Sequence, residues 1–127
     1  MRVLIAEHNT LFFQSLQYKL NKMRFDIVHA ENGLVAKDLI ERDNFDFIIA
    51  SDTLPFFSGI ELISYAKANK TAIYLMGDVA IEERMIEAYQ LGVQDYIIKP
   101  FSPFVLVAKI ESSLQVYNMQ KNSLISI

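Results

Sequence analysis

Apolar residues fall into two alternating rhythms along this chain. Short, nearly continuous apolar runs at positions 3–6, 25–30, 45–50, 72–76 and 96–98 have the length and the β-branched or aromatic content of buried strands. Between and after them, apolar side chains recur three or four residues apart, the repeat that puts them on one face of a helix. Phe12, Leu16, Leu20 and Met23 form the first such stripe, and Val35, Ala36, Leu39 and Ile40 the second. Ile60, Leu62, Ile63 and Ala66 make a third; Met85, Ile86, Ala88, Tyr89 and Leu91 a fourth; Val107, Ile110, Leu114 and Tyr117 a fifth. Punctuation agrees with this division. Asn9 and Thr10 can each cap the first helix, Asn32-Gly33 is a turn signal before the second, and Gly92 closes the fourth as glycine does just past a helix end.

Five strands alternating with five amphipathic helices predict a parallel α/β sheet covered on both faces. In such a sheet the functional crevice forms at the carboxyl ends of the strands, here positions 6–9, 50–53, 76–78 and 98–100. A chain of 127 residues fits one domain. Residues 1–117 are assigned to it, and 118–127 read as a tail, either a frayed helix end or a linker.

Composition narrows the chemistry. With 52% hydrophobic and 21% charged residues the chain is too apolar for a disordered segment. No apolar run approaches the roughly 18 residues of a membrane span, and the N-terminus lacks the length and cleavage site of a signal peptide, so a cytoplasmic location is expected. The absence of cysteine excludes disulfides, thiolate metal sites and thiol catalysis. A net charge of −3 gives no basic footprint for direct nucleic-acid binding.

Five segments taken in order carry a resemblance. They are Val3-Leu4-Ile5-Ala6-Glu7-His8-Asn9, Asp46-Phe47-Ile48-Ile49-Ala50-Ser51, Leu54-Pro55 with Ser58-Gly59-Ile60-Glu61-Leu62, Gly92-Val93-Gln94-Asp95-Tyr96, and Lys99-Pro100-Phe101. Together they resemble the receiver domains of two-component response regulators over residues 2 to 117. The resemblance implies a flavodoxin-like sheet of order 2-1-3-4-5 and a cis peptide between Lys99 and Pro100. It also implies a pocket in which acidic residues ending the first strand and an aspartate ending the third hold Mg²⁺, the third-strand aspartate accepting phosphate from a histidine kinase. Here those positions hold Glu7, His8 and Ser51. Mg²⁺ prefers oxygen ligands, chiefly carboxylates and water, and neutral imidazole serves it poorly. Serine cannot form an acyl phosphate, and its hydroxyl is a weak nucleophile without a base. Mg²⁺ binding is therefore expected to be lost or weak.

The resemblance further implies a Ser or Thr at the end of the fourth strand, whose hydroxyl binds the phosphoryl group and draws in an aromatic residue of the fifth strand. Gly77 stands there, so the aromatic partner, Tyr96, is expected to lack a hydroxyl to follow. Lys99 matches the phosphate-binding lysine, and without phosphate its simplest role is an ion pair with Glu7.

Asp52 is the alternative acceptor, but one step along a strand turns a side chain to the other face. Its bland role is a turn or cap contact before Leu54-Pro55. His8 with Glu7 and Asp52 suits a transition metal in chemistry, although a lone histidine at a strand end is ordinarily solvated. A Ser-His-acid hydrolase lacks its G-x-S-x-G elbow around Ser51, and flavin binding lacks a phosphate loop at Glu7-His8-Asn9-Thr10. Of Phe56 and Phe57, adjacent in a loop, one is expected to be exposed, and Phe101 to pack as core.

The reading is a non-enzymatic pseudo-receiver: a phosphorylation-independent module of a two-component phosphorelay type of pathway. It would bind a signalling protein or effector domain, or form a homodimer through its fourth helix, fifth strand and fifth helix. A phosphorylatable receiver using Asp52 and a flavodoxin-like module for a small molecule or metal are the alternatives.

Overall fold

The computed structural model describes residues 1–66, 71–78, 81–99 and 101–125, with side chains as far as Leu114. Pro100 and the side chain of Tyr117 lie outside the described residues, and so do the expectations attached to them. The elements run β1 (Arg2–Ala6), α1 (Thr10–Asn21), β2 (Asp26–Ala30), α2 (Gly33–Arg42), β3 (Phe47–Ser51), α3 (Gly59–Ala66), β4 (Ala72–Gly77), α4 (Glu82–Gln90), β5 (Asp95–Ile98) and α5 (Pro103–Ile125). The strands form one parallel sheet of order β2-β1-β3-β4-β5. Reversal of strand order between β1 and β3 opens a crevice at their carboxyl ends.

Strand alternation sorts the core into two halves. Leu4, Ala6, Ile48, Ala50, Ile73, Leu75 and Tyr96 face the side covered by α2, α3 and α4. Val3, Ile5, Phe47, Ile49, Tyr74, Met76 and Ile97 face α1 and α5. The same parity, continued past the strand ends, decides which site residues can meet.

Local chemistry sets the helix starts. The side chains of Asn9 and Asn32 accept hydrogen bonds from the Phe12 and Val35 amides at 3.0 and 2.9 Å, satisfying donors that the first turn leaves unpaired. At the start of α3 only glycine fits: a Cβ on Gly59 would lie 2.9 Å from the Ser51 carbonyl oxygen and 2.7 Å from a Leu75 methyl. This close approach brings α3 against the end of β3.

Several expected stripes needed correction. Phe13 is buried alongside Leu16 and Leu20, while Phe12 and Met23 only flank that core, and Leu106 is buried with Ile110. Val35, Ile86 and Tyr89 are exposed rather than buried. On α4 only Ala88 is fully covered, with Met85 and Leu91 packed beside it. Around the helix Tyr89 lies about 100° and Ile86 about 160° from Ala88. Among the described residues no helix is long and apolar enough to cross a membrane.

Candidate functional site

Glu7 follows β1 in the parity of Val3 and Ile5, Ser51 ends β3 in the parity of Phe47 and Ile49, and Lys99 follows β5 in that of Ile97. All three therefore converge on the α1/α5 side of the crevice. The Glu7 side chain is fully buried; its Oε2 accepts from Lys99 Nζ at 2.9 Å and its Oε1 from the Asn9 amide at 3.1 Å. The expected Lys99–Glu7 ion pair is thus present. Lys99 Nζ also reaches Ser51 Oγ at 3.5 Å. Ser51, itself buried, shares a 3.1 Å hydrogen bond with the Thr53 hydroxyl, which donates to Asp78 Oδ2 at 3.3 Å.

His8 is half exposed, its Nδ1 3.6 Å from Glu7 Oε1. Together with Glu7, Asn9, Phe12, Asp78, Lys99 and Phe101 it borders a cleft of about 380 Å³. Phe101 packs edge-on against Phe12 at a centroid distance of 5.4 Å and is partly buried. Among the described residues no three His, Cys, Asp or Glu side chains are grouped as metal ligands.

Asp52 does not join this group. One residue beyond Ser51, it takes the opposite parity and points under α4, where it is 6% exposed. Arg84, in the first turn of α4, binds both its oxygens: Nη2 reaches Oδ1 at 2.8 Å and Nε meets Oδ2. The Ile60 amide donates to Oδ1 at 3.3 Å, and the Tyr96 hydroxyl donates to Oδ2 at 3.1 Å. In place of the turn or cap contact expected before Leu54-Pro55, Asp52 makes this four-bond anchorage, whose amide contact falls in the first turn of α3. A carboxylate that shares its space with a guanidinium is satisfied here rather than in the pocket. The contact raises the Arg84 pKa, chiefly through the hydrogen bond to Asp52.

Tyr96 has no hydroxyl to follow at position 77, yet its ring is 6% exposed and turned inward, with Asp52 as the acceptor. Gly77 makes the room: a Cβ there would lie 2.3 Å from the Tyr96 hydroxyl oxygen and 2.7 Å from Cε1. Burial, then the nearby Asp52 charge and hydrogen bond, push the Tyr96 phenol up to about 12.

The residues singled out in the sequence therefore separate into two sites. Glu7, Ser51, Lys99 and, at the rim, His8 line the cleft; Asp52, Gly77 and Tyr96 lie together on the other face of the sheet. Arg84 escaped sequence reasoning. Its one available signal is that it is the single basic residue in α4, beside Glu82, Glu83 and Glu87. In the β3–α3 loop Phe57 packs against the core, while Phe56 is 74% exposed and adopts φ +73°, a left-handed conformation uncommon for a bulky side chain.

Comparison with known proteins agrees with this architecture. Residues 3–111 match the family model described as "Response regulator receiver domain". The chain is 28% identical over 123 residues to the chemotaxis protein CheY of Pseudomonas aeruginosa, covering 93% of this chain and 99% of that protein. It is 30% identical to the probable transcriptional regulator ycf29 of Pyropia yezoensis, over 87% of this chain and 52% of that protein. The transcriptional regulatory protein SrrA of Staphylococcus aureus is 29% identical over 89% of this chain and 47% of its own length. The chain thus spans nearly all of the first relative and about half of the other two.

Among solved structures, the receiver domain of Francisella response regulator 1452 superposes with a TM-score of 0.78 at 28% identity, covering 87% of this chain and 93% of that one. A CheY-like receiver domain protein of Methanospirillum hungatei gives 0.85 at 23% identity, covering 94% and 97%, a likeness of fold alone. The chain belongs to the response regulator receiver domain family of two-component signalling.

Proposed function

We propose that this receiver domain is a pseudo-receiver, a signalling module that works without aspartyl phosphorylation. The observation that carries this reading is the division of the crevice. Ser51 ends β3 beside a closed Lys99–Glu7 pair, while the adjacent carboxylate, Asp52, is turned to the opposite face and bound by Arg84 and Tyr96. Phosphoryl transfer needs a nucleophile together with cations that offset charge on the moving oxygens.

The donor set around Ser51 does not fit Mg²⁺. One buried carboxylate, Glu7, is already matched by one lysine, the neighbouring His8 offers imidazole, and Asp78 is exposed and hydrogen-bonded to Thr53. Use of Asp52 as acceptor would require Arg84 and Tyr96 to release it. A transition-metal site is disfavoured by the same orientation, since Asp52 is withdrawn from His8 and Glu7.

The output we propose is protein-protein interaction through the face formed by α4, β5 and α5. Ile86 and Tyr89 on α4 and Val105 on α5 are exposed apolar side chains of the kind an interface covers. An effector domain, a separate signalling protein or a second copy would suit this face. The relatives in which the matched region is about half the protein are transcriptional regulators by name, which supports an effector as partner.

Amide NMR spectra recorded with Mg²⁺ and beryllofluoride, a stable mimic of the phosphoryl group, test the reading. No saturable shifts are expected at Glu7, Ser51 or Lys99. Saturable shifts at these three positions would defeat it.

A further inference from the structure

Asp52, Arg84, Tyr96 and Gly77 come from the end of β3, the first turn of α4, β5 and the end of β4. No one of them is held by neighbours in sequence. The Asp52 side chain is 4% exposed and its oxygens accept from Arg84, the Tyr96 hydroxyl and the Ile60 amide. It therefore ties α4, β5 and α3 to the end of β3. The Tyr96 side chain fills space that any side chain at position 77 would need, because an added Cβ meets its hydroxyl oxygen and two ring carbons at 2.3 to 2.8 Å.

An inward tyrosine that required a bound ligand would leave its hydroxyl unpaired in the ligand-free chain, a buried polar group without a partner. Here the ligand-free chain supplies the partner itself. Nor does the Asp52 charge require an external cation, since Arg84 meets it from α4 in a two-pronged geometry. The hydroxyl of Tyr89 adds a second tie on the same side, donating to Asp95 Oδ1 at 2.7 Å beside the Tyr96 amide.

We infer that Asp52, Arg84 and Tyr96, with Gly77 as the opening that admits the ring, form a built-in latch that holds the α4–β5 face in one conformation without any bound ligand. The latch goes beyond the reading of the Ser51 pocket: its members meet that pocket through the backbone, Asp52 following Ser51 and the Lys99 amide donating to the Gly77 carbonyl at 2.6 Å, while the side-chain bonds that close the latch run among Asp52, Arg84 and Tyr96. A partner would meet a preset surface, with Ile86 and Tyr89 already positioned on α4. Loss of the latch would free α4 first, because among the described residues only Ala88 of that helix is fully buried.

Two measurements test the latch. In wild-type protein, nuclear Overhauser contacts are expected between the Tyr96 ring and the Gly77 α protons, with the ring in a single environment. In Gly77→Ala, which alters no charge, those contacts should disappear and α4 amides should exchange about tenfold faster or more, as local opening becomes easier. Arg84→Met should speed α4 exchange similarly while the amides of β1 and β3 keep their protection. If Gly77→Ala does not fold, Tyr96→Phe keeps the ring and removes only the bond to Asp52, and it should also speed α4 exchange. Absent ring contacts in wild type, or α4 exchange unchanged in the folded variants, would overturn the latch.

Discussion

Lys99 Nζ lies 2.9 Å from Glu7 Oε2, joining residues 92 positions apart across the carboxyl ends of β1 and β5. Glu7 is fully buried and Lys99 nearly so, with 16% of its side chain exposed. Breaking such a pair from one side leaves a buried charge, a loss of roughly 3–5 kcal/mol, whereas replacing both partners is far milder. Lys99→Met should therefore destabilise the domain by about that amount, and Lys99→Met with Glu7→Gln should recover most of it. Urea unfolding of wild type, Lys99→Met, Glu7→Gln and the double variant gives the coupling directly; a loss in the double variant equal to the sum of the two single losses would show that the pair is not coupled.

Mg²⁺ at millimolar concentration should leave the melting temperature unchanged relative to monovalent salt at matched ionic strength. A ligand present at 100 times its Kd would add about 2.7 kcal/mol to stability, a shift thermal unfolding detects easily. An ion-specific rise of several degrees would contradict the proposed loss of the metal site.

Ser51→Asp alone should not permit phosphorylation, because it adds a nucleophile and a second carboxylate near Glu7 while His8 still stands where another acid is needed. Ser51→Asp with His8→Asp should make the melting temperature respond to Mg²⁺ and allow some labelling by a small phosphodonor. Adding Gly77→Thr, which by analogy with related receivers should restore the switch, is expected instead to expel Tyr96, since its Cβ would collide with the ring. Efficient labelling of the single variant would mean that His8 is no obstacle.

Alkaline pH should weaken the fold through Tyr96. Its folded pKa, about 12, lies above the ordinary value of 10.0, so the fold favours the neutral phenol. That contribution is complete below pH 10 and declines as pH rises toward 12, since the unfolded chain loses the proton first. Tyr89 is also raised, first by its hydrogen bond to Asp95, and lysines titrate in the same range, so the comparison must be internal. Denaturant unfolding between pH 9 and about 11.5 should show a shallower decline for Tyr96→Phe than for wild type. Equal slopes would mean that the phenol proton is not linked to folding.

Whereas the strand order came with the family resemblance, sequence pattern carried the strands and helices well because alternation and helical spacing are local signals. It also placed Asp52 opposite Ser51, for the strand repeat decides that from one step. The Lys99–Glu7 pair followed from charge balance across the pocket at the strand ends. Arg84 was missed because its contact joins residues 32 apart and leaves no periodic trace. The inward turn of Tyr96 was not foreseen for a related reason: it depends on an acceptor at the end of β3 and on the missing Cβ of Gly77, and neither is visible along β5. Ile86 and Tyr89 were assigned to the core because an apolar stripe shows which residues share a face but not how wide a face the sheet covers.

The central claim, that this receiver works without an acceptor aspartate, is tested most directly by intact mass measurement after incubation with a small phosphodonor and Mg²⁺. The wild-type mass should remain unchanged, and Asp52→Asn should behave identically. A gain of one phosphoryl group in wild type, abolished by Asp52→Asn, would contradict the account.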